Sequence, residues 1–192
     1  MQKISNGNFR VIIPARWQSS RFPGKPLALI LGKTLIERVY EATCKAVIAN
    51  KVIVATDSVK IRNFCLKKNI NFIMTSKNCL TGTDRIIEVA KKVNVNLFIN
   101  VQGDEPLIDP KELKKFITNA IKNPNVIYIA KSKTNKEGFF NKNLPKIVTD
   151  KNNNLLYISR ANIPSNKIHK FDKAFGQVNI YSYPRKILLK KN

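Results

Sequence analysis

Short apolar runs alternate with longer stretches of helical spacing through the first two-thirds of the chain. Phe9-Arg10-Val11-Ile12-Ile13 is β-rich and ends at Pro14, after which Leu35, Ile36, Val39, Tyr40 and Val47 mark a helix over 34–48. Val52-Ile53-Val54-Ala55, Asn71-Phe72-Ile73-Met74 and Leu97-Phe98-Ile99-Asn100-Val101 are further candidate strands, separated by helical segments near 58–68 and 83–93. Asp109-Pro110 opens another helix at about 110–122, since proline suits a first helical turn, and a strand over 126–130 follows. Apolar strands alternating with helices predict an α/β fold with a mostly parallel sheet flanked by helices. Ligands of such sheets bind at the carboxyl ends of the strands.

The second half has a different rhythm. Lys146-Ile147-Val148-Thr149 and Leu155-Leu156-Tyr157-Ile158 flank the turn-rich Asp150-Lys151-Asn152-Asn153-Asn154, which predicts an antiparallel hairpin or flap. Residues 161–175 read as loop, 178–183 as a strand returning to the sheet, and Pro184 as the start of a helix. With no repeat and no low-complexity linker, the expectation is one domain over 1–192, with a hairpin portion at about 136–175.

Composition narrows the class. A chain of 192 residues with 43% hydrophobic content can bury a core, which argues against disorder. No apolar run reaches the roughly 18 residues of a membrane-spanning helix, and Met1 to Asn8 lacks a signal peptide's apolar stretch, so a cytoplasmic location without membrane insertion is expected. Thirty-five Lys and Arg against twelve Asp and Glu give +23, which raises nucleic acid and phosphorylated ligands as partners. The excess is mainly lysine, some of it at predicted helix ends where it suits the dipole, and no nucleic-acid reader motif accompanies it, so a nucleic-acid module ranks last. Cys44, Cys65 and Cys79 are too widely spaced for a metal or redox pair, and His169 is the only histidine. Mechanisms built on two histidines or a Ser/His/Asp triad are disfavoured.

The candidate chemistry starts in the loop leaving the first strand, Pro14-Ala15-Arg16-Trp17-Gln18-Ser19-Ser20-Arg21-Phe22-Pro23-Gly24-Lys25-Pro26-Leu27. Arg16, Arg21 and Lys25 could clamp a triphosphate, with Gly24 permitting close backbone approach; a plain basic surface loop is the alternative. It is not a Walker A loop, because Pro26 follows Lys25. Gln102 and Asp104 fall just past a buried strand, where Asp104 suits a hard cation such as Mg²⁺ beside phosphates, or simply a turn. Thr83 or Asp84 could cap a helix, Asp57 could cap another or touch substrate, and Arg160 could take a carboxylate or lie at a sheet edge.

Taken together these segments resemble the 3-deoxy-manno-octulosonate (Kdo) cytidylyltransferase family. The resemblance runs through the basic loop, Val54-Ala55-Thr56-Asp57, Thr81-Gly82-Thr83-Asp84-Arg85, Asn100-Val101-Gln102-Gly103-Asp104-Glu105-Pro106-Leu107-Ile108 and Tyr157-Ile158-Ser159-Arg160-Ala161-Asn162-Ile163-Pro164. It implies a Rossmann-like nucleotidyltransferase fold that uses CTP and Mg²⁺ to activate a 2-keto acid sugar for lipopolysaccharide biosynthesis. Pro14, Ala15, Arg16, Ser19, Arg21, Lys25, Gly82, Thr83, Asp84 and Arg85 would bind nucleotide. Arg16, Arg21, Lys25 and Asp104 would be catalytic, with Asp104 on the metal. Gln102 and Arg160 would bind the sugar, with the hairpin portion at about 136–175 as the sugar-binding part and Gln177 where the family carries a sugar-contacting histidine. The resemblance further implies a homodimer and a C-terminal segment that nothing here matches, so a non-catalytic nucleotide-binding remnant or partner subunit is the alternative expectation.

Overall fold

A computed structural model describes residues 2–18, 22–168 and 170–190. The chain divides into two compact units: Met1–Tyr128 with Ile180–Asn192, and Ile129–Asn179.

In the first unit, β1 (Phe9–Ala15) leads through a 3₁₀ turn (Lys25–Leu27) and a small hairpin, β2 (Leu29–Ile30) and β3 (Lys33–Thr34), into helix α1 (Leu35–Ala46). Then come β4 (Val52–Thr56), α2 (Val59–Lys67), β5 (Phe72–Met74), α3 (Gly82–Lys92), β6 (Leu97–Val101) and α4 (Pro110–Lys122). Strands β5, β4, β1 and β6 pair in that order, all parallel. Every residue of β4 and β6 is buried, as expected of central strands covered on both faces. Ile12 and Phe98 pack on one face with Ile86, Val89 and Ala90 of α3, while α1 packs with α4. Hydroxyl and carboxylate caps fix where the helices start: Thr34 for α1, Ser58 for α2, Thr81 for α3 and Asp109 for α4. Two caps differ from the sequence expectation. Thr81 is the cap of α3, with Asp84 and not Thr83 returning a hydrogen bond to its backbone, and Ser58, not Asp57, caps α2.

The chain continues with β7 (Tyr128–Thr134), α5 (Lys136–Phe140), β8 (Lys146–Thr149), β9 (Leu155–Ser159), β10 (Ala174–Pro184) and α6 (Arg185–Leu188). The expected 126–130 strand is displaced toward the C-terminus. Val126 and Ile127 lie outside β7, half-exposed, and the backbone N–H of Tyr128 donates to Ser182 Oγ at 3.2 Å. Strand β10 is longer than the apolar run predicted: it includes Ala174, Phe175 and Gly176, which the sequence reads as loop or leaves unassigned. Its residues 180–184 pair antiparallel with β6 in the first unit. In the second unit, Phe175 and Gly176 pair with β8, and β8 forms the expected hairpin with β9. Asp150 closes its turn, Oδ1 accepting from the amides of Asn152 and Asn154 at 2.8 Å each, while Asn153 takes the left-handed region at φ 64°.

Candidate functional site

In the first unit a cavity of about 400 Å³ opens where β1 and β6, neighbours in the sheet, reach their carboxyl ends. Its base depends on one close approach. A side chain on Gly103 would put its Cβ 2.8 Å from the carbonyl oxygen of Pro14, so only glycine lets the two strand exits run this near each other. Gly82 opens α3 beside the same proline, where a Cβ would lie 3.3 Å from Pro14 Cγ and 3.6 Å from Gln102 Nε2. The start of α3 thus brings its N-terminal backbone to the cavity wall, a favourable setting for an anion.

The cavity's charged side chains come from both strand exits. Arg16 is exposed and reaches the carbonyl of Leu80 at 3.4 Å, while Lys25 Nζ meets Asp104 Oδ2 at 2.7 Å. That ion pair is about half exposed on both sides, so it contributes little to stability and its members can exchange partners. The loop carrying Arg16 and Lys25 closes on itself. The Gly24 amide donates to the Trp17 carbonyl at 2.9 Å, the indole packs over Gly24, and Lys60 lies 4.4 Å above the Trp17 ring. Gly24 has φ 75°, and an added Cβ there would meet the indole at 2.9 Å. Ser19 and Arg21, both expected to bind nucleotide, lie outside the described residues.

The segment 81–85 divides its labour differently from the expectation. Thr81 and Asp84 form a reciprocal capping box: Thr81 Oγ1 accepts from the Asp84 amide at 3.1 Å, and Asp84 Oδ2 accepts from the Thr81 amide at 2.8 Å. Thr83 is hydrogen-bonded to the hydroxyl of Tyr183, whose pKa is raised mainly by burial. Arg85 is 2% exposed. It borders the cavity, yet its guanidinium is held inside the protein, donating to Thr75 Oγ1 at 2.6 Å and to Asp57 Oδ2 at 2.8 Å. Asp57 is therefore the partner of a buried cation, not a cap. Its Oδ1 is buried with no hydrogen-bond partner among the described residues. Before α3, Glu88 secures the loop by accepting from the Ser76 amide at 2.8 Å and the Cys79 thiol at 3.1 Å. Burial pushes Glu88 up, but these donors and the nearby cations outweigh it and leave its pKa lowered. Burial, with Glu88 beside it, pushes the Cys79 thiol up to about 11, so this cysteine is a poor nucleophile.

Pro14, Ala15, Arg16, Lys25, Gly82, Arg85, Gln102 and Asp104 are thus brought to one cavity, whereas Thr83 and Asp84 do not line it. Sequence reasoning missed Pro26, Leu35 and Leu80 on the cavity wall. Leu80 is 80% exposed, and an apolar residue just before a helix cap carries no signal of its own. Arg160 and Gln177 belong to the second unit. Arg160 is exposed, and its guanidinium makes no hydrogen bond or ion pair among the described residues. The Gln177 amide donates to the Pro145 carbonyl at 2.8 Å.

Comparison with known proteins identifies the family. The cytidylyltransferase family model matches residues 10–190. A 3-deoxy-manno-octulosonate cytidylyltransferase of Syntrophotalea carbinolica is 40% identical over 93% of this chain and 76% of its own length. The chain belongs to the Kdo cytidylyltransferase family. A second member, from Protochlamydia amoebophila, is 40% identical over 90% of this chain and 70% of its own length. The solved structure of CMP:2-keto-3-deoxy-manno-octonic acid synthetase complexed with CTP superposes with a TM-score of 0.87 at 32% identity, covering 95% of this chain and 76% of that one. The Rossmann-like fold expected of the family is therefore present, and no helix among the described residues is long and apolar enough to cross a membrane.

Proposed function

We propose that this chain is a CTP-dependent cytidylyltransferase that activates Kdo or a related 2-keto acid sugar. One observation carries the reading: in a chain 40% identical to Kdo cytidylyltransferases, the cavity sets Arg16 and Lys25 of one strand exit opposite Asp104 of the other. The anomeric hydroxyl of the sugar attacks the α-phosphorus of CTP and gives up its proton. A phosphodiester bond forms, the bond between the α-phosphorus and its bridging oxygen breaks, and pyrophosphate leaves. No covalent enzyme intermediate is needed, so positioning and charge neutralisation supply the rate. Arg16, Arg21 and Lys25 hold the phosphates. Gly82 and the first turn of α3 lie along the nucleotide, while the Thr83 and Asp84 side chains and the Arg85 guanidinium keep that turn in shape. Ser19 belongs with the phosphate loop. Gln102 hydrogen-bonds the sugar, and Arg160 meets its carboxylate, with Gln177 serving the acceptor as well.

Mg²⁺ fits the donor set. Among the described residues no cluster of three carboxylate, histidine or cysteine ligands exists, but this ion takes one or two carboxylates and completes its shell with phosphate oxygens and water, so Asp104 suffices on the protein's side. Bound there, it would neutralise charge on the α- and β-phosphates. Lys25, released from Asp104, turns to the same phosphates. The homodimer and the cytoplasmic location implied by the family belong to this reading. Pyrophosphate release with CTP, Mg²⁺ and Kdo tests it: release that needs Kdo and is not supported by a neutral hexose is expected, and no release with any 2-keto acid sugar would overturn it.

A further inference from the structure

Lys146 is the only lysine among the described residues with a side chain buried to 0% exposure. It opens β8 at the centre of a three-strand piece of the second unit, opposite Ser159 of β9 on one side and Gly176 of β10 on the other. The residue following each of those neighbours is an acceptor candidate, Arg160 and Gln177. The Lys146 ammonium donates to the carbonyls of Arg160 and Asn141, both at 3.0 Å, and so ties the end of β9 to the end of α5. No carboxylate pairs with it among the described residues.

A buried cation answered only by neutral carbonyls costs folding free energy that those two dipoles return in part. A methionine has nearly the same length and would fill the space without that cost. The charge therefore does something that packing alone would not require. Arg160, whose backbone it holds, is exposed, with a guanidinium that nothing else in the described residues restrains. A bidentate contact with a carboxylate is demanding in direction, so the value of Arg160 depends on how firmly its backbone is fixed.

We propose that Lys146 is a positioning residue for the acceptor's carboxylate: its buried ammonium fixes the Arg160 backbone, and with it the direction from which the guanidinium meets the carboxylate. The proposal rests on the cytidylyltransferase reading with Arg160 at the acceptor, and it adds a residue that touches no substrate itself.

The test is a double-substitution cycle in the full chain, with CTP, Mg²⁺ and Kdo as substrates. Lys146→Met is expected to raise KM for Kdo about tenfold, to leave kcat and KM for CTP within about twofold, and to keep or raise the melting temperature. Arg160→Met should raise KM for Kdo further, and adding Lys146→Met to it should change nothing more. Should Lys146→Met fail to fold, Lys146→Gln, which keeps a donor without the charge, is read by the same criteria. An unchanged KM for Kdo in the Lys146 variant, beside a raised one in Arg160→Met, would overturn the proposal alone. So would a common rise for Kdo and CTP with a fall in melting temperature, the mark of general loosening. An Arg160→Met enzyme with unaltered KM for Kdo, or a parent chain that never turns over Kdo, would overturn the underlying reading, and Lys146's role with it.

Discussion

The two units hold their shapes by different means. In the first, strands β1, β4 and β6 are buried almost throughout, and Ile12, Phe98, Ile86 and Val89 belong to one apolar core cluster, with the buried Arg85–Asp57 pair beside the cavity. In the second, the buried apolar residues are Phe139, Ile147 and Ala174, while Leu155, Leu156 and Tyr157 stand 47–64% exposed along β9. Polar ties do the holding there. Lys146 joins two chain ends, and Lys131 reaches Thr149 Oγ1 at 2.7 Å and Asn153 Oδ1 at 2.9 Å. Apolar burial is strong and without direction, whereas hydrogen bonds are individually modest and directional. The first unit thus rests mainly on apolar burial, and the second on a few polar side chains.

Substitutions can break or sharpen that contrast. The largest effect is expected from Phe98→Ala, which opens a void in the core of the first unit and should cost about 3–5 kcal/mol in urea unfolding. A cost near 1 kcal/mol would mean that this core can collapse around the gap. Asp57→Ala comes next. It strands the Arg85 guanidinium, 3% exposed in its side chain, without its counter-charge, and about 3 kcal/mol of destabilisation is expected. Thermal unfolding within 1 °C of the parent would show that Thr75 and Ser76 satisfy Arg85 unaided. Gly103→Ala should act on function more than on stability. The 2.8 Å approach to Pro14 forces the strand exits apart, and CTP affinity measured by calorimetry should fall about tenfold. Unaltered affinity would show that the cavity does not depend on that approach. The smallest effect is expected from Leu156→Ser on the exposed edge of β9, within about 0.5 kcal/mol. A larger loss would reveal that this leucine is covered in solution.

Legibility in the sequence followed the same division. Buried parallel strands announce themselves as apolar runs, so β1, β4 and β6 and the helices between them were readable from spacing alone. For β7 the apolar run points too early, because Val126 and Ile127 are apolar yet lie before the strand, where hydrophobicity and pairing part company. Motif resemblance singles out Gly82, Gln102 and Asp104, which line one cavity, but it does not tell a side chain open to that cavity from one turned into the protein. Asp84 and Arg85 are the example: a capping box and a buried ion pair are properties of packing, and only Asp84 carries a local signal, three residues after Thr81. Lys146 was invisible for a related reason. In a run such as Lys-Ile-Val-Thr a lysine reads as the solvent-facing member of an alternating strand, and burial of its ammonium depends on carbonyls 5 and 14 residues away.

Trp17 is the only tryptophan in the chain, and it sits on Gly24 in the loop that carries Arg16 and Lys25. The chain therefore carries a single indole, placed in the loop that bears those two cations, with the Lys60 ammonium over its ring. Any change in that loop alters the polarity around one indole and nothing else that emits in the same band. Emission from the unlabelled protein is thus an optical record of that loop alone, and titrations with CMP, CDP and CTP would show whether it responds to added phosphates.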